Sequence, residues 1–193
     1  MDYSRILENI SKHIKLTKEE VNYFTSLLKF EEVNRKDFLL KEGQLAKHIN
    51  YVHSGALKAY YLDSESNENI IMLAIDDWWV TDMYSYVMDK PAMLNIDAIE
   101  HSLIFQLQKN DFDKLVVKIP KFERFFRILM QNAYIREQLR VIQNLAMPAE
   151  ERYVNFLKKY PHLVQRVSQK QIASYLGVTP EFLSAVRKRM SRK

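Results

Sequence analysis

The chain of 193 residues contains no cysteine. That excludes disulfides, thiolate metal centres and cysteine-ligated iron–sulfur clusters. Glycine and proline are scarce, three and five residues, so there is no Gly/Ser-rich linker. No internal repeat or low-complexity tract occurs either. No apolar run approaches the roughly 20 residues that span a bilayer. The N-terminal MDYSRILENISKHIKL lacks the continuous apolar core of a signal peptide. The expectation is a soluble, cytoplasmic protein with no membrane partner. Arginine is missing between Arg35 and Arg124. The histidines, His13, His48, His53, His101 and His162, include no His-x-His pair, and no Ser–His–Asp or Cys–His order stands out. No metal ligand and no catalytic residue is therefore assigned, and a metal-dependent enzyme of cupin type is disfavoured.

The hydrophobic fraction of 47% supports a real core. Net charge is +5 and the sequence pI is about 9.2, which favours anionic partners. The charge is uneven. Arg187, Lys188, Arg189, Arg192 and Lys193 crowd the end, and Asp76, Asp77, Asp82, Asp89 and Asp97 mark the middle. A basic tail suits phosphate contact; it equally suits a soluble terminus.

Residues 1–29 have a helical period. Ile6, Leu7, Ile10 and Ile14 form one apolar stripe. Thr17 and Glu20 have capping-box spacing and open a second helix through Val21, Phe24, Leu27 and Leu28. From Phe30 to about Gln108 short apolar or alternating runs are broken at Glu42-Gly43, Ser54-Gly55, Asp63–Asn67, Asp76-Asp77 and Lys90-Pro91. This spacing predicts an antiparallel roll of short strands, with a short helix at Met83–Met88. Asn110 or Asp111 can cap a helix that Pro120 ends. A long helix follows over about 121–145. Ile128, Ile135 and Ile142 recur every seven residues, with Phe125 beside them. That spacing fits a dimerisation seam, and also a helix packed on its own roll. Pro148 allows a hinge, and Ala149–Lys159 forms another amphipathic helix.

The stretch QKQIASYLGVTPEFLSAVRKR, residues 169–189, reads as two short helices broken by Gly177. Ile172, Ala173 and Leu176 are inward on the first, and Leu183 and Val186 on the second. Gly177 can take the positive φ of a tight turn. Thr179 can cap the second helix, whose first turn suits Pro180. The outward residues carry hydrogen-bonding groups, the pattern of a DNA-reading helix-turn-helix. An ordinary helical hairpin is the alternative.

Helix, roll, long seam helix and helix-turn-helix, in that order, resemble the Crp/Fnr family of bacterial regulators. FLLKEGQLAKHINYVHSGALKAYYLD resembles the first roll hairpins of that family, and IASYLGVTPEFLSAVRK its helix-turn-helix. The resemblance implies an α+β fold: an antiparallel, jelly-roll-like double-stranded β-roll with flanking helices, a long dimerisation helix, and an all-α helix-turn-helix domain. No wing is evident here. The division is an effector-sensing, cyclic nucleotide-binding-like domain at 1–147 and a DNA-binding domain at 148–193. The implied partners are double-stranded DNA, a second copy of the chain, an unidentified small-molecule effector and RNA polymerase. The alternative is an effector-sensing or protein-interaction module of the same fold without specific DNA binding.

The departures from the family pattern are specific. Members that bind cyclic AMP carry a Gly-Glu pair and, about ten residues on, an Arg-Ser or Arg-Thr pair. Here Thr81-Asp82 and Ala92-Met93 stand near those places. Asp82 could accept from a ribose, and Lys90 could offer a point charge but no bidentate fork. A desolvated phosphate needs charge-assisted donors, so cyclic AMP is disfavoured and no cofactor is assigned. The candidate effector residues are Trp79, Thr81, Asp82, Met83, Tyr84, Lys90, Ala92 and Met93. Together with Trp78, Tyr86 and Met88 they form an apolar, aromatic set that would equally serve as roll core. At the DNA end the guanine-reading arginines of the common family operator are replaced by Pro180-Glu181 and Ala185. Glu181 can accept from a cytosine amino group. Thr179, Ser184 and Arg187 are candidate base or backbone contacts. Lys188 and Arg189 suit phosphates, and Gln169 and Lys170 complete the candidate DNA surface.

Overall fold

The computed structural model describes residues 1–190; Arg192 and Lys193 of the basic tail lie outside the described residues. The chain opens with α1 (Ser4–Ser11) and α2 (Lys18–Ser26). The capping box at α2 forms in full. Thr17 Oγ1 accepts from the Glu20 amide at 3.3 Å and the Glu20 carboxylate accepts from the Thr17 amide at 2.7 Å. The sequence expectation carried α2 through Leu28, but it ends at Ser26. Leu28 instead opens β1 (Leu28–Val33), which lies in register along a later strand from Leu28↔Leu107 to Val33↔Ser102. A six-residue ladder and its shared core outweigh two more residues of helical period.

The roll continues with β2 (Phe38–Leu40), β3 (His48–Ser54), β4 (Ala56–Leu62), β5 (Glu68–Ile75) and β6 (Trp79–Val80). Then come α3 (Met83–Met88), β7 (Asn95–Ala98) and β8 (Ser102–Gln108). The strands form two antiparallel four-stranded sheets, ordered β1-β8-β3-β6 and β2-β7-β4-β5. The β3–β4 hairpin turns on Gly55, at φ +112°. A Cβ there would stand 2.6 Å from the Ser102 backbone, so both the turn and the close strand approach require glycine.

The helix α4 (Lys109–Lys118) starts without the predicted cap. Gln108 is its N-cap and makes no side-chain bond. Strand β8 runs straight into the helix, and the Lys109 amide bonds to the Lys47 carbonyl at 2.9 Å. The long helix is α5 (Lys121–Ala146). Its first turns are not free for a seam. Phe122, Phe125 and Phe126 are buried in the roll core with Phe24, Phe112 and Trp79. Phe125, expected beside a dimer seam, is fully buried, because its ring fills the space under Trp79.

After α5 come α6 (Ala149–Lys159), α7 (Pro161–Val164), α8 (Gln169–Leu176) and α9 (Pro180–Met190). Two apolar cores result. One fills the roll and anchors α1, α4 and the start of α5. The other joins Phe156, Ile172, Ala173, Leu176, Leu183 and Val186 to Tyr60, Ile70 and Leu73 of β4 and β5. This second core explains why β4 does not alternate. Ala56 to Tyr60 are all buried, because the roll lies on one face and the C-terminal helices on the other.

Candidate effector cavity and nucleic-acid interface

A cavity of about 990 Å³ lies between the roll and α5. Every predicted effector residue except Lys90 lines it: Trp79, Thr81, Asp82, Met83, Tyr84, Ala92 and Met93. Lys90 is exposed and outside the wall, and its carbonyl accepts from Ser85 Oγ. Of the wider aromatic set, Trp78 lines the cavity. Tyr86 is buried core and Met88 is exposed elsewhere. The rest of the wall was missed in the sequence, including Tyr61 and Leu62 of β4, Met72 of β5, and Leu129, Ala133, Arg136 and Glu137 of α5. The signal was present as a second α5 stripe at i, i+4, i+7 and i+8, inward of the heptad positions.

Asp82 takes a structural role rather than an open one. It is 1% exposed. One carboxylate oxygen caps α3 by accepting from the Ser85 amide at 2.9 Å; the other accepts from the Met93 and Leu94 amides at 2.8 and 3.0 Å. These amides, on a short helix and the following loop, are the kind of donors that hold anions. Here an internal carboxylate occupies them. The Thr81 hydroxyl is likewise committed, donating to the His48 carbonyl at 2.8 Å. Trp79 is held from behind by its indole N–H to Asn9 at 3.1 Å. The Arg136 guanidinium lies 4.9 Å over the Trp78 ring, and its Nε is 3.6 Å from a Glu137 oxygen.

Among the candidate DNA contacts, the motif folds as its internal residues dictate. Ser168 caps α8 in a second capping box with Gln171. Gly177 closes the helix at φ +65°, and nothing stands within 4 Å of where a Cβ would be. The requirement for glycine there is one of backbone conformation alone. Thr179 Oγ1 accepts from the Phe182 amide at 3.2 Å, capping α9. Ala173 is fully buried where the two helices meet Leu183 and Val186. The residues Glu181, Ser184, Arg187 and Lys188 are exposed along α9, as are Lys170 on α8 and Thr179 at the cap. Gln169 is half-buried, with its carbonyl oxygen enclosed and unpartnered. Arg189 pairs with Glu150 of α6 at 3.1 Å.

The motif is also tied to the roll by residues that the sequence did not flag. Arg166 donates to Glu100 at 2.9 Å through Nε and to Asp76 at 3.0 Å through a terminal nitrogen. Ser174 Oγ accepts from the Ile70 amide at 2.9 Å and donates to the Glu68 carbonyl. Beneath them Lys58 is almost fully buried between Glu68 and Asp97. Burial pushes the Asp97 carboxyl above the usual aspartate value, and Lys58 opposes that shift. On the far side of α5, Ile135 and Ile142 are each 51% exposed and Leu139 is 48% exposed. Ile128, nearer the roll, is half-buried.

The architecture is a β-roll with a ligand-sized cavity, a long helix forming part of the cavity wall, and a docked helix-turn-helix. Residues 30–118 match the family described as "Cyclic nucleotide-binding domain". The regulatory protein HlyX of Actinobacillus pleuropneumoniae is 23% identical over 189 residues, covering 92% of this chain and 78% of that protein. Among solved structures, FixK2 from Bradyrhizobium japonicum superposes with a TM-score of 0.75 at 16% identity, over 86% of this chain and 85% of that one. A transcriptional regulator of the Crp/Fnr family from Eubacterium rectale gives 0.72 at 15% identity, over 91% and 84%. Residues 30–118 are thus similar to a cyclic nucleotide-binding domain, and the chain as a whole has the fold of these regulators. Among the described residues no helix is long and apolar enough to cross a membrane.

Proposed function

We propose that this protein is a cytoplasmic, non-enzymatic transcription regulator. It binds double-stranded DNA as a homodimer through α9 and has no site for cyclic AMP. The observation that carries the reading is the capped, exposed α9 held on α8 by Ala173, Leu183 and Val186. Such a helix presents its outward side chains to a major groove. Glu181 and Ser184 are placed to reach base edges, and Lys170, Arg187 and Lys188 to reach phosphates. Arg189 joins them once its exposed pair with Glu150 opens, since such a pair contributes little.

The α5 stripe of Ile135, Leu139 and Ile142 supplies the seam between two copies. A symmetric pair would set its recognition helices about 34 Å apart, one turn of DNA. RNA polymerase would be a further partner at the promoter. The absence of cyclic AMP binding is supported by Asp82, which holds the loop amides itself. The one guanidinium in the cavity wall among the described residues, that of Arg136, lies over the Trp78 ring beside Glu137.

The test is a gel shift of the purified chain against pooled genomic fragments over a salt series. Retention at low salt that falls steeply with salt is expected. Replacing Arg187 and Lys188 together by Ala should weaken binding to all fragments and reduce the log–log salt slope by about 2 per chain, or about 4 for the bound dimer. Absence of retention at low salt, with or without added metabolites, would overturn the reading. It would favour an effector-sensing module that does not bind DNA.

A further inference from the structure

The wall of the cavity has a chemistry of its own. Its surface is dominated by Trp78, Trp79, Tyr61, Tyr84, Met72 and Leu129. Its size, about 990 Å³, falls at the upper end of the roughly 300–1,000 Å³ range of small-molecule sites. Its ionic groups point away from an anionic ligand. The lining carboxylates are Glu42, Asp77, Asp82 and Glu137, and Arg136 is the only basic lining residue among the described residues.

Most of that charge is already matched. Asp77 is paired with Lys12 and accepts from the Tyr51 hydroxyl at 2.7 Å. Glu137 is paired with Arg140 at 2.8 Å. Arg136 lies between Glu137 and the Trp78 ring. The amide donors that could have received a phosphate are filled by Asp82. An added anion would meet carboxylates and spent donors, and its desolvation would go uncompensated. An apolar molecule would lose nothing by entering.

A second copy of the chain does not fill this space. The exposed Ile135 lies roughly 200° around α5 from the lining residues Ala133 and Glu137, and Ile142 roughly 140–180° from them. Ala133 and Arg136 face the roll, so a partner helix on the stripe leaves the cavity between α5 and its own roll.

We propose that this cavity binds a neutral, largely apolar small molecule. Its effector role rests on the reading of the chain as a DNA-binding regulator; the binding itself does not. The wall also has a direct line to the DNA-binding helices. Trp78 meets the ring of Tyr160, at the α6–α7 junction, edge-on with centroids 6.0 Å apart. Its near neighbour Asp76 holds Arg166. A ligand that lifts Arg136 from Trp78 or tilts that ring acts on both contacts.

The chain's two tryptophans, Trp78 and Trp79, both line the cavity, so they serve as reporters. N-phenyl-1-naphthylamine, a neutral apolar fluorophore, is titrated into the full chain and energy transfer from tryptophan is followed. Saturable binding of one probe per chain is expected, with no displacement by excess cyclic AMP. Ala133→Phe, which fills the cavity from α5, should weaken the probe about tenfold. Met93→Lys, at the exposed rim, should do the same and carries little risk to folding. The seam pair Ile135→Ser/Ile142→Ser should leave probe binding unchanged.

Displacement by cyclic AMP would overturn the proposal, as would unchanged binding in Met93→Lys and in a folded Ala133→Phe. Loss of binding in the seam variant would do so too. DNA retention is read in the same samples. A wild-type chain that retains DNA but shows no saturable probe sinks the cavity proposal alone. One that binds the probe but no DNA sinks the DNA-binding reading alone.

Discussion

Replacing Asp82 by Ala strips an acceptor from three backbone amides at once. Buried donors left unpaired cost about 1–3 kcal/mol each at most, with partial relief as the loop relaxes, so Asp82→Ala should lower unfolding free energy by about 2–4 kcal/mol. Urea unfolding checks this. Cyclic AMP should not rescue the loss. Asp97 gives a prediction of opposite kind. Its carboxyl is raised above 3.8 by burial, with Lys58 opposing. The folded state therefore holds this proton more tightly than the unfolded chain does. Stability from this group is fully present below the unfolded value and is lost as pH rises through the folded one. The stability of wild type minus that of Asp97→Asn should accordingly fall as pH climbs from about 4; thermal unfolding across pH measures it. A difference that grows with pH would refute the assignment. The two aspartates also show where reading residues from sequence stops. The position of Asp82 in the effector segment was legible from the neighbouring motif. Its role was not, because its partners at Met93 and Leu94 come from across a loop.

Helix α5 does two jobs that its sequence presents as one. The seven-residue repeat of Ile128, Ile135 and Ile142 is legible, and the exposure of Ile135 and Ile142 matches a face awaiting a partner. The same period misassigns Phe125. Near the start of the helix the roll competes for every large ring, and a buried aromatic cluster outweighs a seam position. Farther along the roll falls away, and its facing stripe of Ala133 and Arg136 borders a cavity instead of a core. The expected consequence is a dimer whose stability resides in the second half of the helix. Ile135→Ser with Ile142→Ser should shift sedimentation toward monomer and weaken DNA retention, while leaving the melting of the roll within about 0.5 kcal/mol, as for surface changes. The succession of short roll strands along the chain was legible from turns and alternation, but their order within the two sheets was not. The helical reading of residues 1–29 took in Leu28 and Lys29, the first two residues of β1, since Leu27 and Leu28 fit both periods and only the register with β8 decides between them.

Across the whole molecule, the roll and the C-terminal helices are not divided by empty space. Tyr60, Ile70 and Leu73 belong to the roll by chain and to the C-terminal helices by packing. Arg166 and Ser174 fasten that junction with polar contacts. None of this was visible in the sequence, because β4 and β5 read as ordinary roll strands and Arg166 belongs to no motif there. Arg166→Gln should loosen the junction, and limited proteolysis should then cut near Pro148 faster than in wild type. Unchanged cleavage would mean that the apolar contacts alone hold it.

That shared core bears on portability. Chimeras that graft the last 46 residues, 148–193, onto another roll would inherit a helical unit missing part of its floor. A graft is expected to fold only if the host offers an aromatic and two branched aliphatic side chains where Tyr60, Ile70 and Leu73 stand. The transferable unit in this protein is the set of C-terminal helices together with the hairpin on which they sit.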